Sequence, residues 1–95
     1  MPKFVMLSTL GPEGSARLHD NPERLREVTA EVEAMGVKVE RQLALLGRWD
    51  FVTIIDAPDE QAMARVATTL NARGTLKTMT MSAVEVDDYI NALRD

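Results

Sequence analysis

The sequence predicts an α+β fold: a four-stranded antiparallel sheet in the ferredoxin-like order β-α-β-β-α-β, with both main helices on one face and a further helix at the C-terminus. Three observations lead there. Two long segments carry apolar residues at steps of three and four, and each closes on a glycine, Gly36 or Gly74. Four shorter stretches are rich in β-favouring residues. Gly47-Arg48 makes a tight turn between the second and third of these, so that connection is a hairpin while the others are helical crossovers. At 95 residues there is room for one core, and residues 1–95 are expected to form a single domain.

The first strand is expected at Lys3–Leu10, closed by the turn residues Gly11 to Gly14. A helix follows over 20–36, with Asn21 as N-cap, Pro22 at its first position and Leu25, Val28, Val32 and Met35 as its buried stripe. The second strand (37–46) sets Val37, Val39, Leu43 and Leu45 on one face, a pattern that Arg41 interrupts. The third (49–57) is apolar on both sides through Phe51, Val52, Ile54 and Ile55, as a central strand covered twice should be. The next helix spans 58–74. Asp59 and Glu60 suit its N-terminal dipole, and Met63, Val66, Ala67 and Leu70 form its stripe. The fourth strand (75–84) alternates Leu76, Thr78 and Thr80 with Lys77, Met79 and Met81. A tail helix over 85–95 turns Val86, Ile90 and Leu93 inward.

Two helices roof one side of this sheet, yet the first and third strands are apolar on both sides. Each Å² of apolar surface left in water forgoes about 25 cal/mol, and large exposed apolar patches mark interfaces. The expected cover is a second copy of the chain, sheet against sheet, with any ligand pocket between the subunits. The alternative is a monomer whose tail helix crosses the open face.

Composition narrows the function classes. Without cysteine there is no disulfide, thiolate zinc site, iron–sulfur cluster or thiol nucleophile. A net charge of −4 argues against a nucleic-acid partner, since such binding runs on phosphate neutralisation. No apolar run is long enough to span a membrane, and no secretory leader opens the chain, so a cytoplasmic protein is expected. A metal site is not expected, because His19 is the only histidine and no calcium-loop pattern occurs. No cofactor motif stands out either: Gly11-Pro12-Glu13-Gly14 lacks the ending of a phosphate loop. The serines show no triad context.

The run from Gly47 through Trp49-Asp50 to Ala57-Pro58-Asp59 resembles the signature of the GYD-domain family, with Trp49 where that family usually shows tyrosine. Residues 19–25 and Lys77 to Thr80 fit as well, so the resemblance covers nearly the whole chain. One departure is Gly11, where the family tends to carry a threonine three positions before the residue matching Gly14. The resemblance implies a ferredoxin-like fold of the dimeric α/β-barrel type, usually oligomeric, and brings little function with it. Kinship of fold with small oxygenases is analogy only.

Six residues are candidates for a ligand site. Trp49 and Asp50 would stack on a ligand and accept a hydrogen bond or proton, or else pack over the hairpin end and cap turn amides. Thr78 and Thr80 share a sheet face and, if that face is open, Thr53 joins them in a hydroxyl patch between subunits. All three are equally ordinary strand residues. His19 must serve any imidazole chemistry, although a lone loop histidine is usually only solvated. The leading expectation is a homo-oligomeric module holding a small ligand in an inter-subunit cleft. A cofactor-independent oxygenase or isomerase with His19 or Asp50 as base, and a purely structural assembly unit, are the alternatives.

Overall fold

The computed structural model describes residues 1–94. In chain order it has β1 (Lys3–Leu10), α1 (Pro12–Asp20), α2 (Arg24–Glu33), β2 (Lys38–Ala44), β3 (Phe51–Asp56), α3 (Glu60–Ala72), β4 (Leu76–Ala83) and α4 (Val86–Ala92). The sheet runs β2-β3-β1-β4 with every neighbouring pair antiparallel. This is the expected ferredoxin-like sheet, with one helix more than the sequence reading allowed.

The extra element is α1, where turn residues were expected. Gly11 occupies the N-cap, Pro12 the first turn, and Glu13 adds favourable charge there. Gly14 is required by closeness rather than by a turn: a Cβ at this position would lie 2.3 Å from the Thr75 carbonyl oxygen. Glycine therefore lets α1 settle against the start of β4. Asn21 accordingly caps the end of α1 and does not N-cap the next helix, which begins at Arg24 without a side-chain cap. The helix over 58–74 is as expected, and its cap is explicit: the Asp59 carboxylate accepts from the Ala62 amide at 2.8 Å.

Two further differences have local causes. The hairpin between β2 and β3 is not a tight two-residue turn; it is a loop closed by the Leu45 amide donating to the Asp50 carbonyl at 2.7 Å, with Gly47 at φ 129°. In β2 the register shifts between Val39 and Arg41, leaving Glu40 as a bulge. Val39 packs on the core, whereas Leu43 pairs with Val52 and is 44 % exposed on the opposite face. The bulge explains why Arg41 interrupts the alternation: beyond it, the strand has changed sides.

The core lies between the sheet and the helices, around Phe4, Met6, Ile55, Met63, Val66 and Leu70. On the other side no helix follows. The tail helix forms as expected, but its residues do not turn inward. Every residue of α4 is exposed, including Val86, Tyr89 and Ile90, and Leu93 just beyond it is 68 % exposed. The molecule is elongated, 53 Å along its long axis against 28 and 19 Å across. Asp95, the last residue of the expected tail, lies outside the described residues.

Candidate functional site

The residues of interest fall into three places: the end of the β2–β3 hairpin, the helix-covered face of the sheet, and its open face. At the hairpin end Asp50 is a structural tie. Its carboxylate accepts from the Leu10 amide at 2.7 Å, its own amide donates to the Ser8 carbonyl at 2.8 Å, and its carbonyl accepts from Leu45. These bonds hold the end of β1 just where β3 begins. Trp49, half-buried, lies 5.7 Å by its ring centroid from the Arg48 guanidinium. His19 sits in the last turn of α1 rather than in a loop, 91 % exposed, with Asp20 at 3.7 Å. The structure thus keeps Trp49 and Asp50 together and leaves His19 in solvent.

The threonines lie on the helix-covered face. Thr53 and Thr80 both pair with Met6, and Thr78 pairs with Ser8, so all three hydroxyls point to the side of the core. The hydroxyl patch between subunits is therefore placed on the wrong side by the sequence reading, because the register of β4 sends its threonines inward and its methionines outward. Asn71 of α3 holds Thr78, its side chain donating to the hydroxyl at 2.7 Å and accepting from the Thr78 amide at 2.9 Å. Gln42 donates to Thr53 at 3.4 Å. The Thr80 hydroxyl is buried and has no partner among the described residues.

On the open face, Val5 and Leu7 of β1 lie beside Val52 and Ile54 of β3 and beside Met79 and Met81 of β4. Met79 and Met81 are 43 % and 41 % exposed. One end of this apolar band is closed by charge. Lys3 pairs with Glu40 and, at 2.9 Å, with Asp56. These two carboxylates raise the Lys3 pKa, Glu40 first, and the Lys3 hydrogen bond in turn holds the Asp56 carboxyl below its usual value.

Between the covered face and the helices lies a cavity of about 220 Å³. Its walls are largely apolar; Ser8 and Thr53 are buried in its floor, and Arg17, Arg24 and Arg73 reach it from three helices. Glu31 lies between two of these arginines, 2.5 Å from Arg73 and 3.2 Å from Arg24, and its pKa is lowered chiefly by the Arg73 hydrogen bond. Of the sequence candidates only Thr53 lines this cavity. The arginines carry no motif in sequence, since only the packing of α1, α2 and α3 brings them together. Among the described residues no cluster of metal-ligating side chains occurs, and no helix is long and apolar enough to cross a membrane.

The fold and these surfaces define a small α+β module with a half-roofed sheet, and comparison with known proteins gives the family. A family model for the GYD domain matches residues 4–93, so the chain belongs to the GYD domain family. It is 45% identical, over 99% of its length and the whole of the relative, to a Thermus thermophilus protein named glutamine synthetase and cystathionine beta-lyase binding protein. Among solved structures it resembles FFRP-DM1, with a TM-score of 0.60 at 19% identity, covering 88% of this chain and 100% of that one. It also resembles the Mycobacterium tuberculosis leucine response regulatory protein LrpA, with a TM-score of 0.55 at 15% identity, over 88% of this chain and 51% of that one. At these identities the structural likeness concerns the fold alone.

Proposed function

We propose that the protein is a homo-oligomeric binding module that docks on a metabolic enzyme and performs no chemistry of its own. The observation that carries this reading is the inverted polarity of β4: Thr78 and Thr80 lie under the helices, while Met79 and Met81 face outward beside Val5, Leu7, Val52 and Ile54. An isolated subunit gains nothing from that arrangement, whereas a dry contact between two sheets does. The charged cluster around Lys3 then forms part of a polar rim. Support for an enzyme partner comes from the relative named for binding glutamine synthetase and cystathionine beta-lyase, which aligns along its entire length. The two residues considered as bases favour binding over catalysis, since Asp50 is committed to backbone amides and His19 stands in solvent.

Light scattering at micromolar concentration tests the assembly: a multiple of the 10.5 kDa chain mass is expected, and Ile54→Lys with Met79→Lys should reduce it to one copy. Calorimetric titration with glutamine synthetase and with cystathionine beta-lyase from the source organism tests the docking. A single-copy wild-type protein would overturn the first part of the proposal, and absence of heat with both enzymes of the relative's name would overturn the second.

A further inference from the structure

The cavity beneath the helices lies on the opposite side of the sheet from the proposed contact between copies, and it has the features of a ligand site in its own right. Its size decides the ligand class first. A dry cavity of 150 Å³ holds a benzene ring, so about 220 Å³ accommodates roughly eight to ten heavy atoms. Leu25, Val28 and Val32 of α2 face Met6 and Ile55 of the sheet across it, which requires an apolar body.

Polar groups then fix the ends. Arg17, Arg24 and Arg73 come from three different helices of a chain whose net charge is −4, and no acidic side chain lines the cavity with them. Glu31 bridges Arg24 and Arg73, and Glu13 pairs with Arg17, without either carboxylate lining the cavity. A guanidinium carries five donors, and Arg24 directs only one of its nitrogens to Glu27 and Glu31, so donors remain for an incoming anion. At the floor, Ser8 is 5 % exposed and lines the cavity beside Thr53. Buried polar groups are normally paired, and a ligand hydroxyl would find its partner there.

We propose that this cavity is a binding site for a small organic carboxylate with an apolar body and one further hydrogen-bonding group. The carboxylate meets the arginines at the mouth, and the polar group reaches Ser8. The site is complete within one subunit and does not depend on the assembly proposed above.

The probe is 4-hydroxybenzoate, titrated into protein labelled on its methionine methyls, with 4-hydroxybenzamide as its neutral counterpart. Saturable movement of the Met6 methyl signal is expected, with Met79 and Met81 unmoved, because Met6 lines the cavity and the other two lie across the sheet. The amide should bind about tenfold more weakly, and Arg24→Gln should weaken the carboxylate about fivefold while leaving the amide unaffected. Val28→Phe, which fills the cavity, should abolish binding; Arg24→Gln, on the surface, keeps the test open if that variant does not fold. Movement confined to Met79 and Met81, equal affinity for acid and amide, or no saturation with either probe would overturn the proposal. Light scattering on the same samples reads the assembly separately, so the failure of one idea does not imitate the failure of the other.

Discussion

The two faces of the sheet come from the same four strands and solve opposite problems. The covered face carries hydroxyls, Ser8, Thr53, Thr78 and Thr80, among its apolar residues, and its helices leave a cavity with three arginines around it. The open face is apolar across its middle, edged by charge, and has no roof. In a free-standing subunit the polar side chains would be expected outside. The difference teaches that exposure does not follow polarity in this chain: the face richer in hydroxyls is enclosed, and the greasier one stays open.

Adjacent residues of β3 provide the sharpest test of this contrast. Ile55 points into the core and is fully buried, while Ile54 faces out. Ile55→Ala should destabilise the fold by about 2–5 kcal/mol at every protein concentration, read from urea unfolding. Ile54→Ala should instead remove most of the dependence of the melting temperature on protein concentration, since a contact between copies links stability to mass action. Equal behaviour of the two variants would erase the distinction between the faces. A smaller effect is expected at the hairpin end. Asp50→Ala should cost about 1–3 kcal/mol by stranding the Leu10 amide, with the scattering mass unchanged. Under the helices the sign reverses: Thr80→Val should raise stability by about 1 kcal/mol, because the buried hydroxyl has no partner to lose.

The smallest effect is on pH dependence. Asp56 beside Lys3 and Glu31 beside Arg73 both have lowered pKa values. Their contribution to stability is present above the unfolded carboxyl pKa, about 4, and is lost as pH falls through the lowered folded values. Both pairs are partly exposed, so the loss is modest and should shrink further in salt. Urea midpoints between pH 7 and pH 3 should therefore fall less steeply in the double variant Glu31→Gln, Asp56→Asn than in the parent chain.

Most of the architecture was legible in sequence because alternation in the strands and the stripes of α2 and α3 report burial directly. Two features were not. Helix α1 was hidden because Gly11 and Gly14 read as turn residues, whereas Gly14 serves a close approach to Thr75 that no local pattern announces. The facing of β4 could not be read because Thr78 and Thr80 are plausible on either side, and only pairing with Met6 and Ser8 settles it. The site was legible in part: Asp50 does tie a corner, but its carboxylate holds the Leu10 amide at the end of β1 and not the amides of its own turn. The arginines at the cavity come from helix ends distant in sequence, so nothing short of the fold assembles them.

The bulge at Glu40 has a consequence for how this chain tolerates change. Upstream of it β2 contributes Val39 to the interior; downstream it contributes Leu43 to the outer surface and returns Gln42 to Thr53. A single supernumerary residue thus works as a phase shift, allowing one edge strand to serve two environments in succession. Replacing Glu40 would alter little beyond a charge. Deleting it would close the bulge into a regular ladder, because Val39 already faces Ile55 and Arg41 already faces Ile54; Arg41 and Leu43 would stay outside and Gln42 inside, so it is a further inserted residue, not the loss of this one, that would throw the strand out of step.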